Sequence, residues 1–341
     1  MAIEIYSTAY LNRLMTQLAP TPTVFLDTFF PEVLQHDTEE VYFDKAKDKP
    51  RLTPFVHPLH EGKVVDSAGY ETKSLKPAYV KDLRVHNPLK ALKRRAGEPL
   101  MGNITPEQRQ RLNIAADLAD QERMFSRRLE VMAVEAIRDG RATIRGEGFN
   151  VVVDFGRDAS LSVTLTGAQA WNAATPPDVL GQFEDWSGMI ADFDGSVDAV
   201  IMDRKAWALF RRNEAMLKLL DRRRGDNSTI QLSPQQAKIA GLKYKGAIGE
   251  FEIYVMSGTY VDPFDNTVKQ YIPDNTVILA GSRVEGVRHF GAIMDTDVLI
   301  SMERYVQSWT EKNPSRRMLM LESAPLLVPY RPNSSMRITV A

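Results

Sequence analysis

Cysteine is absent from all 341 residues. Thiol catalysis, disulfide staples and thiolate metal sites are thereby excluded, and synthesis in a reducing, intracellular setting is expected. Neither sign of charge dominates. The 43 basic and 44 acidic side chains leave a net charge of -1, so no global pull toward nucleic acid or an anionic membrane is expected. Apolar runs such as AVIM, Ala199 to Met202, fall far short of the ~20 residues a bilayer-spanning helix needs. Glu4 and the lack of a basic cluster ahead of an apolar run argue against a signal peptide. A soluble protein is expected, and 43% hydrophobic with 26% charged residues makes it a folded one.

Catalytic motifs are as scarce. The chain has no Walker-type glycine loop, no strand-anchored G-x-G-x-x-G, no H-E-x-x-H and no G-x-S-x-G. Of the five histidines, His57 and His60 are three apart, but Pro58 keeps that segment extended, so nothing makes them share a face. Asp192, Asp194 and Asp198 in DFDGSVD lack the ligand series and closing glutamate of an EF-hand loop; Asx turns leading into the next strand fit better. No cofactor is called for. One enzymatic alternative stays open, a soluble two-domain hydrolase with a divalent-metal site built from Asp192, Asp194 and His289. Another alternative is nucleic-acid binding by residues 51–111, with 12 basic and 6 acidic side chains, although stacking aromatics are few there. Residues 1–50 run the other way, 4 basic against 8 acidic. Complementary charge between copies of the chain is the more natural reading.

What is present is a succession of elements in an α+β order. STAYLNRLMTQL sets Leu11, Leu14, Met15 and Leu18 on one face, with Ser7 to cap a short helix and Pro20 and Pro22 to stop it. VFLDTFF follows, and an arm this apolar must pack on its own core or on a neighbouring subunit. From Glu40 to Asn87 strand-like segments alternate with prolines. A two-stranded arm of this kind is marginal alone in water and needs a surface to lie on. Thr105-Pro106-Glu107-Gln108 is a capping box with proline at the first helical position, and the helix it opens runs to Asp139 and stops at Gly140. Ile114, Leu118, Phe125, Leu129, Met132, Ala133 and Ala136 make its apolar stripe, with Arg109, Arg111, Glu122, Arg127, Arg128 and Glu135 elsewhere on its surface. Such a helix spans roughly 51 Å, against roughly 50 Å for a globule of this size. That suits a flat or extended subunit.

Further on, RATIRGEGFNVVVDFG reads as strand, and Thr175-Pro176-Pro177 opens a helix with Val179, Phe183, Trp186 and Ile190 on one face. VDAVIMD is a buried strand, Asp203 caps a single helix RKAWALFRRNEAMLKLLDRRR, and FEIYVM, NTVILAG, RMLMLESAPLLVPY and RITVA are strands.

The segment VDAVIMDRKAWALFRRNEAMLKLLDRRRGDNS, then YKGAIGEFEIYVMSGTYVD, YIPDNTVILAG and SAPLLVPY, resembles the major capsid protein of lambda-like tailed bacteriophages. EEVYFD near residue 40 and the YVK of Ala78 to Lys81 fit the same pattern, so the resemblance runs along almost the whole chain. It implies the Hong Kong 97-like phage capsid fold and a structural protein, not an enzyme. On that resemblance residues 1–36 are an N-terminal arm, 37–95 an E-loop β-hairpin region and 104–140 the spine helix. Residues 141–194 and 295–341 are then a P-domain and 195–294 an A-domain. The resemblance further implies self-assembly into pentamers and hexamers of an icosahedral head shell, in a bacterial host cytoplasm. Scaffold, portal and decoration proteins are implied partners, with packaged DNA held without sequence recognition and no role for a membrane.

Candidate subunit-interface residues follow from the same frame. They are Phe25 and Phe29 in the arm, Lys63 and Lys73 in the E-loop, and Arg222, Arg223 and Arg224 in DRRRGDNS. Some relatives crosslink subunits through a lysine and an asparagine; lambda-like members are not expected to, and that chemistry is not assigned to Lys63 or Lys73. The three arginines suit a helix C-terminus, where cations complement the dipole, and Gly225 suits its end.

Overall fold

Thr105 caps the long helix as expected, and Pro106–Asp139 runs unbroken through the computed structural model. The structure describes residues 7–18, 21, 23–38, 40–46, 52–53, 55–58, 61, 70–87, 92–93, 104–146, 149–219, 242–295 and 299–341. The Thr105 hydroxyl accepts the Gln108 N–H at 3.2 Å, and the Gln108 side chain accepts the Thr105 N–H at 3.0 Å. The helix ends at Gly140 in the left-handed conformation, which glycine adopts without the Cβ penalty. Its apolar stripe is buried as expected, but Glu122, expected on the charged face, is buried too. Arg304 pairs with it at 2.5 Å and the Ser126 hydroxyl donates to it.

A six-stranded sheet supplies the second framework. Its order is Ser162–Thr164, Ser335–Thr339, Thr276–Ala280, Ala199–Met202, Phe251–Met256 and Leu242–Ile248. Alternation along these strands sends side chains to opposite faces. Ile201, Tyr254, Met256 and Ile278 pack toward the spine and the arm. Val200, Met202, Ile253, Val255, Val277, Leu279 and Ile338 pack beneath the helices Val179–Ala191 and Arg204–Phe210. Covered on both sides, the central strands read as near-continuous apolar runs.

Hydrogen bonding crosses the boundaries expected from the resemblance. The C-terminal strand Ser335–Thr339, expected in the P-domain, pairs with Thr276–Ala280 of the block expected at 195–294. The helix Val179–Ala191 packs on that same block. Conversely, Gly286–Phe290 lies between Glu32–Gln35 and Pro325–Pro329 in a separate three-stranded sheet. Strand partners are set by long-range pairing, which apolar alternation alone does not encode.

Two further expectations need correction. The strand Val80–His86, expected within the E-loop region, pairs antiparallel with Ser315–Ser323; among the described residues Val41–Ala46 and Tyr70–Leu75 pair with each other and form a two-stranded arm. The helix after Asp203 is not single. It stops at Phe210 and restarts at Glu214–Leu219, where the Asn213 side chain accepts the Met216 N–H at 3.4 Å. Asparagine competes for backbone hydrogen bonds and favours such a cap over a helix interior.

Candidate functional site

No catalytic geometry forms around the residues of the hydrolase reading. Asp194 is held by Arg283 at 2.5 Å and Arg331 at 2.9 Å, and these side-chain bonds draw its carboxyl below the ordinary range. His289 is buried and bonded elsewhere, and no group of three potential metal ligands gathers among the described residues. His60 lies outside the described residues, as do Lys63, Arg222, Arg223 and Arg224. Lys73 sits on the outer arm opposite Phe43 in the strand register. No helix among the described residues is long and apolar enough to cross a membrane.

The surfaces that remain are suited to association. Leu52 and Phe55, in the segment between the two arm strands, are 95% and 106% exposed. Tyr42 is exposed on the adjoining strand. A second apolar area lies on the three-stranded sheet of Val80–His86, Ser315–Ser323 and Tyr305–Lys312. There Leu83 opposes Met320, and Val85 opposes Met318, which in turn opposes Trp309; Leu83, Val85 and Trp309 are exposed.

The N-terminal segment is fastened to the chain itself. Phe25 and Phe29, expected at a subunit interface, are 0% and 3% exposed in the chain's own core. The reason is a double cap on the five-residue helix Phe25–Phe29. From the last third of the long helix Pro106–Asp139, Glu130 accepts the N–H groups of Val24, Phe25 and Leu26 at 3.0–3.1 Å. From strand Gly286–Phe290, Arg288 donates to the carbonyls of Phe30 at 2.6 Å and Leu26 at 3.0 Å. An anion at the N-terminus and a cation at the C-terminus both complement the helix dipole. Burial pushes the Glu130 carboxyl up, against the downward pull of its three backbone bonds. Asn12 fastens the preceding helix Thr8–Gln17 by exchanging two hydrogen bonds with the Val306 backbone, at 2.9 and 3.1 Å.

A histidine pair closes the next turn of the segment. The rings of His36 and His289 stack with centroids 5.1 Å apart, and His36 Nε2 lies 2.8 Å from His289 Nδ1. One nitrogen must donate and the other accept, so the contact needs at least one neutral ring. Burial, reinforced by His36, pushes His289 down to about 4 from 6.5. With the folded value below the unfolded one, the stabilisation is complete above pH 6.5 and is lost as pH falls toward 4. The expected loss is about 3 kcal/mol. Urea unfolding at several pH values should show this slope in the wild type and a flatter one in His289→Gln; equal slopes would contradict it.

Comparison with known proteins agrees with a surface built for association. The family model for phage major capsid protein E matches residues 7–340. The chain belongs to the phage major capsid protein E family. It is 32% identical to the major capsid protein of Enterobacteria phage phi80 and 31% identical to that of Escherichia phage lambda, in each case covering 99% of this chain and 100% of the relative. A crystal structure from Escherichia coli CFT073 described as a prophage capsid protein superimposes with a TM-score of 0.75. At 22% identity it covers 98% of this chain and 97% of the other, which speaks for the shared fold. As a phage or prophage major capsid protein, the chain is a structural subunit of the head that self-assembles into a capsid shell, not an enzyme. Its fold is the Hong Kong 97-like capsid fold.

No motif marks Glu130, Arg288 or the exposed pair Leu52 and Phe55 in the sequence. Periodicity marks the first. Glu122, Ser126 and Glu130 recur every four residues, and so form a polar line down one side of the spine. Nothing local marks Arg288, whose role depends on a partner about 260 residues away in the chain.

Proposed function

We propose that this major capsid protein builds pentamers and hexamers of an icosahedral head, with the E-loop reaching over a neighbouring subunit. The observation that carries this reading is the exposure of Leu52 and Phe55 on an arm whose two strands join no other sheet among the described residues. Such an arm is marginal by itself; laid across a neighbour, it buries its apolar residues and gains a surface that holds its shape. Repeated in every copy, modest contacts of this kind sum to a stable closed object.

In this reading residues 104–140 are the spine. The axial domain takes in the sheet around Ala199–Met202 together with the C-terminal strand. Lys63, Lys73 and Arg222 to Arg224 lie at contacts between subunits. A scaffold protein directs assembly, a portal occupies one vertex, a decoration protein binds the finished surface, and DNA is enclosed without sequence recognition. Replacing Arg222 and Arg223 by serine tests the axial contact. Capsomer yield on sedimentation should fall severalfold while the unfolding midpoint of the monomer stays unchanged. Equal loss of folding and assembly would count against an interface role.

A further inference from the structure

At the C-terminal end of the spine helix two guanidiniums, Arg138 and Arg337, pair with the Asp139 carboxylate, and the charges of Arg141 and Arg157 lie close enough to each other to interact. Arg138 and Asp139 are the last residues of the helix, and Arg141 opens the next strand. Arg157 returns beside Gly140, where an added Cβ would stand 2.5 Å from the Arg157 Cβ. Glycine is needed there for its positive φ and for this approach. Arg337 arrives on the C-terminal strand, beside Ser162 in parallel register.

Asp139 takes an ion pair from Arg138 at 2.5 Å and from Arg337 at 2.6 Å. Arg157 bonds to neutral acceptors only, the Ile137 carbonyl at 2.9 Å and the Ser162 hydroxyl at 2.8 Å. Neither Arg157 nor Arg141 makes an ion pair among the described residues, although Asp139 acts on Arg157 from nearby and Asp154 stands opposite Arg141 in the strand register. Burial pushes Arg157 down to about 10, and repulsion from Arg337, Arg141 and Arg138 adds to the effect while Asp139 opposes it. The helix terminus supplies roughly half a negative charge, which offsets a fraction of the excess.

Buried or half-buried charge is costly without a counter-charge. The cluster is also reachable, since Arg141 and Ser162 are exposed and Arg157 and Arg337 only partly buried. Arg141, Ser162 and Arg337 stand on three separate strands and Arg157 on the segment before Ser162, and the Ser162 hydroxyl, while accepting from Arg157, keeps its own O–H to donate. A carboxylate offers two oxygens, and a single bidentate arginine can satisfy both. Converging forks suit a tetrahedral oxyanion with more acceptors.

We propose that Arg141, Arg157 and Arg337, with the Ser162 hydroxyl, form a binding site for a phosphate-class oxyanion at the C-terminal end of the spine helix. Free phosphate and the phosphodiester of a nucleic acid share this chemistry.

The test is calorimetric titration of the full-length chain with inorganic phosphate, followed by the same titration in the presence of a short DNA duplex. Saturable binding is expected at one site per chain, weakened about tenfold in Arg337→Gln and in Arg141→Gln. Arg141 makes no side-chain hydrogen bond or ion pair among the described residues and is exposed, so its variant separates loss of the site from loss of the fold. Displacement of phosphate by the duplex would identify a nucleic-acid backbone as the source, and no displacement would identify the free ion; both sustain the site. No saturable phosphate binding, or binding unchanged in both variants, would overturn it.

Discussion

Replacing Glu130 by alanine is expected to destabilise the chain by roughly 3–5 kcal/mol and to loosen the N-terminal segment. The carboxylate satisfies three backbone N–H groups at the start of the helix Phe25–Phe29, where the N-cap residue Val24 supplies no side-chain cap and the Asp27 side chain accepts the preceding Thr23 N–H instead. Alanine would leave those donors buried without an acceptor and remove the charge that complements the helix dipole. Burial of the carboxylate has its own cost, visible in its raised pKa, so the loss is smaller than three full charged hydrogen bonds. Glu130→Gln should fall between the two. Its one oxygen can still serve Val24 and Phe25, while its amide would face the Leu26 N–H with a second donor. Urea unfolding measures the stability, and limited proteolysis around residues 18–24 reports the loosening. A Glu130→Ala protein within about 0.5 kcal/mol of wild type, with its arm still resistant, would refute the double cap.

The opposite outcome is expected at the arm tip. Leu52→Ser combined with Phe55→Ser should abolish closed shells and leave the unfolding midpoint of the monomer where it was. Both side chains are almost fully exposed in the isolated chain, so the substitution removes nothing from its core. Burying a leucine or phenylalanine against a neighbour contributes about 1.5–3 kcal/mol each. Loss of both at every contact weakens association by more than a hundredfold per contact. Sedimentation of the variant against wild type gives the answer. Shells formed at wild-type yield would show that the arm tip carries no contact energy.

Local signals were the most legible part of the chain. The capping box at Thr105, the stop at Gly140 and the Ser7 cap were written in adjacent residues, because a cap is a contact between neighbours in sequence. The same holds for the buried face of Val179, Phe183, Trp186 and Ile190. The break at Asn213 was also local, but it competed with a continuous apolar pattern that pointed to one helix. Pairing was not legible. Val80–His86 alternates as well as any hairpin strand, and only its long-range partner Ser315–Ser323 places it in another sheet. Phe25 and Phe29 show the same limit from the other side. Their apolar character required burial, and the choice between own core and neighbouring subunit was made by Glu130 and Arg288, far away in the chain.

The central claim is that this chain is a self-assembling shell subunit. Sedimentation with negative-stain microscopy, on protein expressed with and without a candidate scaffold protein, tests it most directly. The account predicts closed shells, or rings of five and six subunits, from the scaffolded preparation. A species that stays monomeric with scaffold at high concentration, its E-loop resistant to protease, would contradict it.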